Sequence, residues 1–68
     1  MKVVLTLEDA LTKNQMTRYE LAKRTGIRYQ IIDNYYKNKV VRYDSYVLAR
    51  ICETLGCGID ELLKTEES

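Results

Sequence analysis

Between Arg28 and Lys39 the chain sets Arg28, Tyr29, Gln30, Asn34, Lys37, Asn38 and Lys39 within a few turns of backbone. Their chemistry is hydrogen bonding and charge pairing. A Gln or Asn carboxamide donates and accepts at once, which matches the major-groove edge of adenine, and an Arg fork matches guanine. Lys ammonium groups neutralise phosphates. Asp33 sits among them with two open uses. It can accept from a cytosine amino group, or pair with Lys37 at i+4 and touch no base; the spacing favours the pair.

Covalent chemistry has little to work with. The sequence has no His, the commonest general base and metal ligand. It shows no nucleophile–base set, phosphate-binding loop or metal-ligand spacing. Cys52 and Cys57 lack CxxC or zinc spacing and read as small buried hydrophobes in a reducing compartment. No catalytic residue, metal site or cofactor is therefore expected, and the chain does not read as an enzyme. No signal peptide and no apolar run of about 18 residues is seen, so the expectation is a soluble, cytoplasmic protein with no membrane partner.

The 68 residues carry a formal net charge of only +1. Its distribution is uneven. In residues 13–42, Lys13, Arg18, Lys23, Arg24, Arg28, Lys37, Lys39 and Arg42 face only Glu20 and Asp33, while residues 43–68 are acidic on balance. A basic block beside hydrogen-bonding side chains is the electrostatic footprint of a nucleic-acid face.

Helices must position these groups. Thr17 can cap a helix, and Glu20 can complete a capping box by reaching back to the Thr17 amide. Leu21 and Ala22 point inward, and Gly26 ends that helix by taking the left-handed conformation. Ile27 plugs the turn. A second helix runs from Arg28 or Tyr29 to Lys37, with Ile32 and Tyr35 inward and Ile31 and Tyr36 at the edges. Two helices joined by so tight a turn have helix-turn-helix spacing.

The run ELAKRTGI, with Ile32 five residues beyond Ile27 and the polar KNK loop after it, resembles the Cro/repressor (Xre-type, lambda-repressor-like) helix-turn-helix family. LARICETLGCGIDELL, Leu48 to Leu63, is similar to the usual ending of that family. The resemblance implies an all-α bundle of five short helices, with helices 2 and 3 as the motif. In such a domain the N-terminus of the second motif helix enters the major groove. Arg28, Tyr29, Gln30 and Asn34 would then read bases. Thr17, Arg18, Tyr19, Lys37, Asn38, Lys39 and Arg42 would hold phosphates, while Lys23 reads equally well as a solvated face. The sequence departs from the family pattern twice. Arg28 stands where a Ser or Thr cap is usual, and Asn38 stands where Gly is usual. Asn tolerates the left-handed region next best, so the loop is expected to survive.

The remaining segments frame the motif. Residues 1–68 read as one domain. Met1 to Leu5 is β-branched and reads either as an arm over the core or as a strand, pairing with Val40-Val41 or with its copy in a second chain. Thr6 is expected to cap a first helix carrying Leu7, Ala10 and Leu11 inward. Asp44 or Ser45 caps a later helix with Val47 or Leu48, Ile51, Cys52 and Leu55 on its inner stripe, ending at Gly56. Asp60 to Leu63 form a short last helix, and residues 64–68 a frayed polar tail. Of the six tyrosines, Tyr35 reads as core, and Tyr43 and Tyr46 as packing or interface residues.

The function these features imply is a sequence-specific DNA-binding regulator of transcription, repressor-like, working as a homodimer on double-stranded DNA. The alternative is a protein partner for the same fold, as an interaction or antitoxin-like adaptor.

Overall fold

The computed structural model describes residues 1–67. Among them are five helices and two strands: β1 (Lys2–Leu5), α1 (Leu7–Lys13), α2 (Arg18–Thr25), α3 (Tyr29–Tyr36), α4 (Ser45–Leu55), α5 (Ile59–Leu62) and β2 (Leu63–Glu66). The expected helical bundle is present, with a small two-stranded sheet against it.

The core is aliphatic. Leu7, Leu21, Ile32, Ile51 and Leu62, one from each helix, are fully buried. Burying each such side chain stabilises the fold by about 1.5–3 kcal/mol. Leu5, Leu11, Ala22, Val47, Leu55 and Tyr35 complete the cluster. Tyr35 can be buried because its hydroxyl accepts from the Asp44 amide at 2.8 Å. Tyr43 packs edge-on against it, with ring centroids 5.9 Å apart.

Two helix ends follow the sequence closely. Gly26 (φ 74°) and Gly56 (φ 67°) are left-handed, and their amides return to Ala22 and Cys52 carbonyls. The Asp44 carboxylate caps α4 by accepting from the Tyr46 amide. Cys52 and Cys57 are half-buried, packed on the core. Burial, with Cys57 alongside, pushes the Cys52 thiol above its usual value and keeps it protonated.

Four expectations are corrected. Lys2–Leu5 is a strand, one of the two forms expected of it, but its partner is not Val40-Val41: β1 pairs antiparallel with β2, Lys2 opposite Glu66 and Leu5 opposite Leu63. Residues 64–66 are consequently strand and not frayed tail, while Ser68 lies outside the described residues. The apolar anchors Leu5 and Leu63 and the bond from the Thr6 amide to the Leu62 carbonyl at 2.8 Å fix that register. Thr6 does not cap α1 through its side chain; the hydroxyl donates instead to the Glu61 and Leu62 carbonyls. The capping box at Thr17 is half made. Thr17 accepts from the Glu20 amide at 3.1 Å, but the Glu20 carboxylate pairs with Arg24 at 2.6 Å.

Candidate nucleic-acid interface

Helices α2 and α3 pack closely, and the turn between them is tied from inside. The buried Thr25 hydroxyl donates to the Leu21 carbonyl at 2.8 Å and accepts from the Ile27 amide at 3.2 Å. Arg50, on α4, reaches the Thr25 carbonyl with Nε at 3.4 Å and Nη2 at 3.3 Å. The turn is thus held to α2 and to α4. Neither role is visible in the sequence, because both bonds depend on how the helices assemble.

Arg28 precedes α3 in an extended conformation and makes no side-chain cap bond; the Ile31 and Ile32 amides bond to its carbonyl. The helix therefore starts at Tyr29. Arg28, Tyr29 and Gln30 are exposed, and Asn34 is half-exposed one turn on. The Gln30 carboxamide donates to the Asn34 carboxamide oxygen at 3.2 Å. Each amide thereby orients the other and keeps one end free. Ile31 on the same helix is 38 % exposed, an apolar side chain able to meet a thymine methyl. Its periodicity suits the edge of the core as well as the surface, which is why the sequence alone places it at the edge. Tyr29 lies beside Tyr19 of α2, their centroids 6.5 Å apart, so the two helices share an exposed aromatic strip.

Behind this surface lies an ionic cluster. The Asp33 carboxylate receives Arg18 Nη1 at 2.6 Å on one oxygen and Lys37 Nζ at 3.1 Å on the other. Asp33 is buried, 8 % exposed, so these cations carry its compensation. The hydrogen bond from Lys37 is the main influence holding its carboxyl below the usual value, with Arg18 adding to it against the upward push of burial. Asp33 thus pairs with Lys37, as its spacing suggested, and with Arg18 as well. The Arg18 guanidinium also lies over the Tyr36 ring, 4.3 Å from its centroid.

The other candidates are distributed around this centre. Thr17 and Tyr19 are exposed at the N-terminus of α2. Lys37 and Lys39 are exposed where α3 ends, and Arg42 is exposed in the connector to α4. Asn38 differs from the rest. At φ 58° it holds the left-handed conformation expected of it. Its side chain turns to the sheet, where Oδ1 accepts from the Leu5 amide at 2.7 Å and Nδ2 donates to the Leu5 carbonyl at 3.0 Å. Only its backbone is left for a phosphate.

No helix of the described residues is long and apolar enough to cross a membrane, and none of their acidic or cysteine side chains group as metal ligands.

Comparison with known proteins agrees with this geometry. The chain is similar over its fold to a solved crystal structure described as "a putative DNA-binding protein from Bacteroides fragilis", with a TM-score of 0.81 at 21% identity, covering 93% of this chain and 100% of that one. No curated protein matches the chain. A family model for the Cro/C1-type HTH DNA-binding domain matches residues 6–68. That span contains the whole of α2, the Gly26 turn and α3, and the chain therefore belongs to the Cro/C1-type helix-turn-helix family of DNA-binding domains.

Proposed function

We propose that the protein is a sequence-specific regulator of transcription that represses by occupying its operator as a homodimer on double-stranded DNA. One observation carries this reading: the hydrogen-bonded Gln30–Asn34 pair on the exposed face of α3, with Arg28 at its start and Lys37 and Lys39 at its end. A pre-oriented pair of carboxamides pays less conformational entropy on meeting a base edge than two free ones. Arg28, Tyr29, Gln30 and Asn34 read bases, with Ile31 added as an apolar contact. Thr17, Arg18, Tyr19, Lys37, Lys39, Arg42 and the Asn38 backbone hold phosphates. Arg18 is suited to this while paired, because a guanidinium has five N–H donors and its bond to Asp33 uses Nη1 alone. The protein acts by binding, without catalysis. A single motif reads few base pairs, so two copies on two half-sites supply the specificity.

The test is site selection from random DNA followed by titration across a salt series. A selected site bound well above bulk DNA, with log K falling linearly in log salt, supports the reading. Equal affinity for the selected site and bulk DNA at every salt concentration would overturn sequence-specific regulation.

A further inference from the structure

Two thiols meet at the end of α4. Gly56 closes that helix in the left-handed conformation, and the chain reverses over it. The Gly56 and Cys57 amides both return to the Cys52 carbonyl, the latter at 3.0 Å. At a helix end of this kind, the residue one turn before the reversal and the residue just after it bring their side chains into contact. Here those residues are Cys52 and Cys57. Two residues joined by an amide-to-carbonyl bond also keep their Cα atoms within the range of about 4.4–6.8 Å that a disulfide requires. Both side chains are half-buried against the core, so neither thiol swings freely in solvent. Each is reached from its own side. Cys52 lines a shallow apolar groove with Leu48, Ala49 and Ile59, and Cys57 lines a polar recess of about 150 Å³ with Lys13, Glu61 and Lys64.

We propose that Cys52 and Cys57 are a reversible cross-linking site, which a low-molecular-weight disulfide such as oxidised glutathione converts to an intrachain disulfide stapling the end of α4 to the turn before α5. The exchange balances in two steps. The Cys57 thiolate attacks one sulfur of the reagent, forming a mixed disulfide and expelling a reagent thiolate, which takes up the proton that Cys57 gave up. Cys52 then loses its proton and attacks the Cys57 sulfur, and the second reagent thiolate leaves and takes that proton. Two protein thiols are oxidised, and one reagent disulfide is reduced to two thiols. Cys57 goes first because the Cys52 thiolate is disfavoured, by burial foremost, then by Cys57 alongside, with Asp60 and Glu61 adding to it. The same surroundings decide which form lasts. A dithiol that gains nothing by ionising is not stabilised in its reduced state, so the disulfide once closed is a weak oxidant. The site is therefore a slow staple that answers sustained oxidation. It secures the joint on which α5 hangs, and α5 supplies the buried Leu62 and the carbonyl that receives the Thr6 amide. None of the residues assigned to DNA lines the groove or the recess, so the inference is independent of the DNA reading.

The test equilibrates the full chain, folded and in concentrated urea, with buffers of varied reduced-to-oxidised glutathione, quenches in acid, and reads mass and free thiols. The folded wild type is expected to lose two hydrogens and both alkylatable thiols, to remain a single chain on a non-reducing gel, and to recover both thiols in dithiothreitol. The equilibrium constant for closure should be about tenfold or more larger in the folded chain than in urea, because the fold has already brought the two ends of the loop together. By the same cycle the oxidised protein should melt at a higher temperature than the reduced one. Cys52→Ser and Cys57→Ser should each lack the internal bond and melt at a temperature independent of the glutathione ratio. Should a serine variant fail to fold, the comparison of folded and urea-unfolded wild type decides alone. Two glutathione adducts with no internal bond, thiols that stay free at every ratio, cross-links only between chains, or closure no easier in the folded chain than in urea would each overturn the proposal.

Discussion

Asn38 holds Leu5 by both of its backbone groups, with the carboxamide standing where a neighbouring strand's peptide would be. The same residue carries the positive φ at the end of the motif. One side chain thus couples the loop after α3 to the N-terminal strand.

Asn38→Gly keeps the left-handed backbone and deletes the clamp, leaving two part-buried backbone groups unpaired. A loss of about 1–3 kcal/mol in urea unfolding is expected. Asn38→Ala should lose more, because Ala adds strain at positive φ. Equal stability of Asn38→Gly and the wild type would show that the clamp contributes nothing.

Asp33 predicts an acid dependence. Its folded pKa is depressed, so its contribution is fully present above the unfolded value, near 4, and is lost as pH falls through the lower folded value. Asp33→Asn should be less stable than the wild type at pH 7, and the gap should shrink towards pH 2. Chemical denaturation at several pH values measures it; a gap that stays constant with pH would remove the ionised carboxylate from the account.

On DNA, Gln30→Ala should cost about 1–3 kcal/mol at the selected site and almost nothing on bulk DNA, with the salt slope unchanged. Lys39→Ala should weaken both alike and lower the slope by about 1. Fluorescence anisotropy in a salt series separates the two behaviours, and interchange of the two outcomes would refute the assignment of roles.

Thr25→Val tests the turn. The substitution keeps the shape but leaves the Ile27 amide without its acceptor, and a loss of about 1–3 kcal/mol is expected. Thermal unfolding followed by circular dichroism reads it. An unchanged midpoint would mean that Arg50 and Gly26 hold the turn by themselves.

The helical part of this fold was legible because its signals are local. Thr17, Gly26, Asp44 and Gly56 sit at the helix ends they mark, and Leu21, Ile32 and Ile51 follow helical periodicity inward. What was missed depends on contacts between distant residues. LKTE is too polar to announce a strand and becomes one only when Leu5 and Leu63 meet. Thr6 has the residue type of a cap, but the Glu61 and Leu62 carbonyls compete for its hydroxyl. The backbone tolerance of Asn38 is legible from its type, while its side chain has a partner 33 positions away. At the interface, the residue types on α3 were readable, but the Gln30–Asn34 bond, the exposure of Ile31 and the second cation on Asp33 required the assembled helices.

The pairing of Lys2 with Glu66 also has a consequence in time. Helical turns close over a few residues and form in microseconds or less, whereas joining segments this far apart must first meet the entropy of closing a long loop. The helices can nucleate while the polypeptide is still being made; the sheet cannot close until Glu66 has emerged from the ribosome. The clamp of Asn38 on Leu5 needs no residue beyond Asn38 and can form before β2 exists, holding the N-terminal strand in place for its partner.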